Sequence, residues 1–209
     1  MSGKTHAQFA IGFGYAVALI LDHFFSIGLN FYLLILLMPL LSMRGAKFPD
    51  YDHHWKSISD RTAISWCVSK FIHLTGGSHR SKHTHSWDIC LVSLALLWLG
   101  TEKLFEYQIF SALDRGIAFT MLLGFYSGWI SHLISDMFNG DGVWPTVFAR
   151  HKVAFVPKKL LGIKFNTGGA WERFFYKMSV FINRILGVVV LIYPIFKSGL
   201  LEQLINKWL

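Results

Sequence analysis

Ten histidines are spread along this 209-residue chain, and most fall in short polar clusters at the edges of apolar runs. The densest is HRSKHTHS, His79 to Ser86, with three imidazoles and two cations immediately before a long apolar run. Neutral imidazoles are metal ligands, and a cationic neighbourhood lowers their proton affinity, which favours that role. A second cluster, PDYDHH (Pro49–His54), sets two carboxylates beside two imidazoles. Acids so close repel each other unless a cation compensates them. Pro49 ends any helix before it. An extended continuation puts Asp50 and Asp52 on one face and His53 on the other, whereas a turn converges all three. The third cluster, SHLISD (Ser131–Asp136), spaces His132 and Asp136 at i, i+4, so on a helix both side chains emerge on one face and can grip one divalent ion. Each cluster also has a plain reading: a solvated loop, a loop touching lipid headgroups, or a hydrogen-bonded His–Asp pair.

The elements that must position these residues are apolar. Hydrophobic residues make up 53% of the chain and charged residues 15%, against about 25% charged in soluble proteins. Mean hydropathy is +0.43. Too little polar surface is left to cover a soluble core, so the composition predicts an all-α, multi-pass helical membrane bundle formed as a single domain over residues 1–209. About five apolar segments stand out: Phe9–Leu21, Phe31–Met43, Asp88–Gly100, Gly116–Ile134 and Val180–Leu201. Only the fourth and fifth approach the ~20 residues that cross a bilayer cleanly. The formal net charge of +8 is concentrated in two blocks, Arg44–Lys82 and Arg150–Lys177, which carry no nucleic-acid motif. Cytoplasmic loops obeying the positive-inside bias explain them, giving five passes with the N-terminus inside and the C-terminus outside a cell (inner) membrane. Cys67 and Cys90 make neither a disulfide framework nor a thiolate zinc site.

That topology has a second consequence. His6 and the three clusters all fall at the cytoplasmic ends of their segments, so groups far apart in sequence come to one layer, and ionisable groups at such places are functional candidates. His23 sits at the opposite end of the first segment, and His73 and His151 stand alone. These three are expected to be structural or on the surface.

The order of an N-terminal His, then PDxDH, then HR…THS, then SHxxxD…GV resembles the YdjM-like family of membrane-bound metal-dependent hydrolases, itself related to the zinc-dependent phospholipase C and single-strand nuclease superfamily. A later TGGAWE (Thr167–Glu172) is similar to an element near that family's C-terminal end. The resemblance implies metal-site positions at His6, Asp50, Asp52, His53, His79, His85, His132 and Asp136, with Glu172 a more distant ligand or a base. The family's spacing in the HR…THS element is one residue shorter than here, where His83 is additional. His79 and His85 match through the Arg and Ser that follow them.

Mixed His/Asp ligation without thiolates suits Zn2+, and Mn2+ or Fe2+ also accept such ligands. Eight donors exceed one tetrahedral site, so one to three ions are expected. Divalent ions activate water near neutral pH and clamp the oxygens of a phosphoryl group, which suits phosphoester hydrolysis. On that reading Asp52 doubles as general base, Arg80 and Lys82 neutralise developing charge, and the membrane address selects a lipid or lipid-linked phosphoester as substrate. No nucleic-acid partner is expected. Two other classes use the same features: a non-enzymatic membrane protein that binds or transports metal, and a soluble helical hydrolase with an unusually apolar core. Transport needs donors near mid-membrane, whereas these cluster at segment ends. Neither an HExxH signature nor a serine elbow with an ordered triad is present.

Overall fold

Apolar runs bounded by capping residues set the helices. The computed structural model describes residues 2–24, 30–53, 62–107, 112–138, 142–156, 159–160, 163–164, 167–199 and 206. Six α-helices occur among them: α1 (Gly3–Phe24), α2 (Phe31–Gly45), α3 (Ala63–Leu74), α4 (Trp87–Glu106), α5 (Ala112–Met137) and α6 (Ala170–Lys197). Asn30 starts α2 by accepting the Tyr32 amide, and Thr62 starts α3 in a reciprocal capping box with Ser65, each satisfying amides that a helix start leaves open. Two two-residue strands, Lys159–Leu160 and Ile163–Lys164, form a small antiparallel ladder. His54 of the PDYDHH cluster lies outside the described residues.

Long-range hydrogen bonds give the helix directions. Near the start of α1, His6 meets Ser135 near the end of α5. Ala46, just past α2, accepts from His132 of α5, and Trp129 of α5 donates to the Thr84 carbonyl just before α4. Glu172 in the first turn of α6 accepts from Thr5, and at the far ends of the same two helices Lys197 pairs with Asp22. Helices α1, α4 and α6 therefore start, and α2 and α5 end, in one layer. The sequence clusters lie in that layer.

Among the described residues, four helices are long and apolar enough to cross a membrane: α1, α2 continued to Asp52, α5 from Arg115, and α6. Two sequence expectations change here. The first and second segments, short as apolar runs, gain length because α1 begins at Gly3 and α2 runs on into a 3-10 turn, Pro49–Asp52. The third segment is not among the four, because α4 carries Asp88 at one end and Glu102, Lys103 and Glu106 at the other. Its Leu91, Leu96, Leu97 and Leu99 are nevertheless exposed, as are Phe181, Ile185, Val188 and Leu191 of α6. Such faces suit lipid.

Helix α5 is the central post, packed on α1, α2 and α4. Its Gly124 and Gly128, four residues apart, face Leu41 and Ser42 of α2, the small-residue spacing that lets membrane helices approach closely. A Cβ at Gly128 would collide with the Ser42 carbonyl oxygen, whereas one at Gly100 in α4 would meet nothing within 4 Å. Gly128→Ala is therefore expected to destabilise the protein by about 1–3 kcal/mol or more, read as a lower melting temperature in detergent. Gly100→Ala should leave melting unchanged or slightly raised. Equal melting of the two variants would contradict this packing.

Candidate metal centre

The PDYDHH segment forms a 3-10 turn, yet it does not converge Asp50, Asp52 and His53 as a turn was expected to. At three residues per turn, Asp50 and His53 fall on one side, where His53 Nε2 and Asp50 Oδ1 are 4.0 Å apart. Asp52 turns the other way and is fully buried. Its carboxylate accepts from His79 Nδ1 at 3.1 Å on Oδ1, and from the Ser81 amide at 3.2 Å and the Thr84 hydroxyl at 3.0 Å on Oδ2, where His85 Nδ1 is also 3.1 Å away. Both oxygens are thus engaged, and two imidazoles are turned so that Nε2 faces away from Asp52.

The loop carrying those imidazoles is clamped by tryptophans. Trp129 Nε1 donates to the Thr84 carbonyl and Trp144 Nε1 to the Arg80 carbonyl, while the Trp144 amide donates to the His85 carbonyl. Arg80 adopts a left-handed backbone, φ 58°, a conformation costly for a residue with a side chain and concentrated at functional turns.

From α5 and α1 come the remaining groups. His132 Nδ1 lies 2.7 Å from the Ala46 carbonyl oxygen; a carbonyl only accepts, so Nδ1 carries a proton, and in the neutral ring Nε2 is bare. The Ser135 hydroxyl spends its proton on the His132 carbonyl, so His6 Nδ1, 2.5 Å from that hydroxyl, must be the donor there. His6 Nε2 is then bare as well. The His6 and His132 rings stack at 3.8 Å.

In their neutral forms the rings therefore turn acceptors on acceptors. His85 Nε2 and His132 Nε2 are 3.3 Å apart, Asp136 Oδ2 is 3.5 Å from His132 Nε2 and 3.6 Å from His85 Nε2, and Asp136 Oδ1 is 3.4 Å from His6 Nε2. Zinc–nitrogen bonds of about 2.0–2.1 Å in a tetrahedron imply ligand–ligand edges of about 3.3–3.4 Å, so the spacing fits a shared cation. Among the described residues, two groups of three could hold an ion, His6 with His132 and Asp136, and Asp50 with His85 and His132. His132 belongs to both. Burial holds His85 below its ordinary pKa, and burial followed by the charge of His79 does the same for His53. Both favour the neutral form that metals take.

The centre has a floor and a rim. His6, His85, His132 and Asp136 are buried, while Asp50 and His53 are partly exposed and His79 is exposed, stacked on His53 at 3.5 Å. The Ser81 hydroxyl, buried beside Asp52, has no hydrogen-bond partner among the described residues. His83 is exposed, with its Nδ1 toward Gly77. Glu172 does not join the gathered donors. Its oxygens accept from the Ser2 amide, the Thr5 hydroxyl and the Gly168 amide, so it straps the start of α1, and with it His6, to α6. Lys82 donates to the Ala149 carbonyl and lies over the Trp144 ring, which ties it to the clamp. His23, His73 and His151 are exposed. Sequence reasoning missed Ser135, Thr84 and the Ala46 carbonyl. The first two are small hydroxyls without a pattern, and the third is a main-chain atom.

Apolar spans, helices alternating in direction and a buried His/Asp centre at one end define a helical membrane protein with a potential metal site. A family model described as YdjM inner membrane protein matches residues 1–198, and the chain belongs to that family. No curated protein and no solved structure matches it significantly.

Proposed function

We propose that the protein is a membrane-bound, metal-dependent hydrolase of phosphoester bonds in a lipid or lipid-linked substrate, with zinc as the metal. One observation carries the metal: the Nε2 atoms of His85 and His132 lie 3.3 Å apart and face Asp136, and in the neutral rings these lone pairs repel one another unless a cation lies among them. When bound, such an ion supplies water activation at neutral pH and electrostatic clamping of phosphoryl oxygens.

The chain's own residues do the rest. Asp52, with both oxygens engaged, orients His79 and His85 in place of the base role suggested by its sequence position. Asp50, partly exposed at the rim beside His53, is the carboxylate within reach of an incoming substrate; one oxygen would join His85 and His132 in holding an ion, and the other takes the proton of the attacking water. Arg80 neutralises charge developing on the phosphoryl group; Lys82, tied to Ala149 and Trp144, instead holds the loop in shape. The basic blocks flank the centre in sequence, and their concentration there supports a cytoplasmic orientation.

The test is hydrolysis by purified protein in lipid. Chelator-stripped protein should be inactive on a panel of phospholipid and polyprenyl-phosphate esters, and added Zn2+ should restore turnover. Metal-loaded protein that cleaves no phosphoester in the panel rejects the hydrolase reading, and metal flux in liposomes would favour transport instead.

A further inference from the structure

Helix α3 buries the wrong side for water. Its inward face is Ser65, Ser69 and Ile72, spaced i, i+4, i+7 and buried. Outward along one edge run Ile64, Cys67, Phe71 and Leu74, all exposed; Ile64 is 71%, Phe71 64% and Leu74 84% exposed. A helix on an aqueous surface does the reverse. Twelve residues span about 18 Å, too short to cross a bilayer. A polar anchor fixes α3 in the layer of the metal centre: Ser69 donates to the His53 carbonyl at 2.9 Å. At 100° per residue, Trp66, Lys70 and His73 occupy an arc between the buried face and the apolar edge, and all three are exposed. Trp and Lys are residues that settle at the headgroup level, with apolar parts inward and polar tips in water.

We propose that α3 is an in-plane helix embedded in the lipid leaflet on the side of the metal centre, with Ile64, Cys67, Phe71 and Leu74 in the acyl region and Trp66 and Lys70 among the headgroups. The occupant is lipid because the edge belongs to a chain already held in a bilayer by its spans, and because the flanking Trp–Lys arc matches an interface. Since Ser69 holds the carbonyl of His53, the depth of α3 sets the rim formed by His53 and His79 at headgroup level. That consequence rests on the metal-centre reading; the position of α3 does not.

Cys67 is a native probe, because Cys90 is fully buried. The full-length protein, labelled at Cys67 with an environment-sensitive fluorophore and placed in phospholipid nanodiscs, should be quenched several-fold more by lipids carrying a nitroxide on a shallow acyl carbon than by aqueous iodide. A Cys90→Ser version should behave identically. With the label moved to Lys70→Cys in a Cys67→Ser background, the preference should shift toward iodide. Dominant iodide quenching at Cys67 overturns the proposal by showing that the edge faces water. Protection from both quenchers overturns it by showing that another protein, or a second copy of the chain, covers the edge.

Discussion

His132→Ala is expected to strip the purified protein of metal. His132 alone belongs to both groups of candidate ligands, so its loss leaves two donors in each. Outer partners of metal ligands are by themselves worth about 10–100-fold in affinity, so removing a shared ligand should cost more than about 100-fold, and metal content by elemental analysis should fall to background. His6→Ala and His85→Ala each remove a donor from one group, His6 with Asp136 or His85 with Asp50. They should lower stoichiometry without abolishing it. His83→Ala and His23→Ala, which alter exposed rings outside both groups, should bind as wild type. The variant also leaves the Ala46 carbonyl without its donor, at about 1–3 kcal/mol, so elution profile and helical circular dichroism must accompany the metal assay. A folded His132→Ala protein with its full metal content would overthrow the shared-cation centre.

How much of this was legible in the sequence depends on the kind of signal. His132 and Asp136 could be paired from the chain alone, because i, i+4 on a helix leaves no freedom about which face they share. The apolar runs gave helices and the basic blocks gave a common layer. The 3-10 geometry at Pro49–Asp52 was not decidable, since Pro49 permits both a turn and an extended exit, and that choice is what separates Asp50 at the rim from Asp52 behind the imidazoles. Span lengths were misjudged for a related reason: apolar runs end where polar residues begin, but α1 starts at Gly3 and carries Thr5 and His6 buried inside it. A polar residue facing a polar centre does not end a helix, though it does end a hydropathy run. Glu172 was readable as an acid in a recognisable element. Its use as a strap on Thr5 and Ser2 depends on α1 and α6 running side by side, which no local pattern reports.

Asp52→Asn separates an orienting residue from a ligand. The substitution keeps shape and burial but exchanges one oxygen for an NH2 group. Three donors or ring nitrogens crowd Oδ2, namely the Ser81 amide, the Thr84 hydroxyl and His85 Nδ1, so the new amide nitrogen settles at the Oδ1 position, opposite His79 Nδ1. Two donors then face each other, and the relief is for His79 to shift its proton to Nε2, leaving Nδ1 to accept. His79 loses the lone pair it would present at the rim, and His85 loses the full negative charge that raises the basicity of its outward nitrogen. Metal affinity measured by competition with a chelating dye should fall about 10–100-fold, with the helical content unchanged and the His79 tautomer reversed in nitrogen NMR. Unchanged affinity would mean that the carboxylate does not govern the imidazoles. Complete loss, matching His132→Ala, would make Asp52 a ligand, because an orienting group weakens a metal site by turning its donors, whereas a ligand removes one of them.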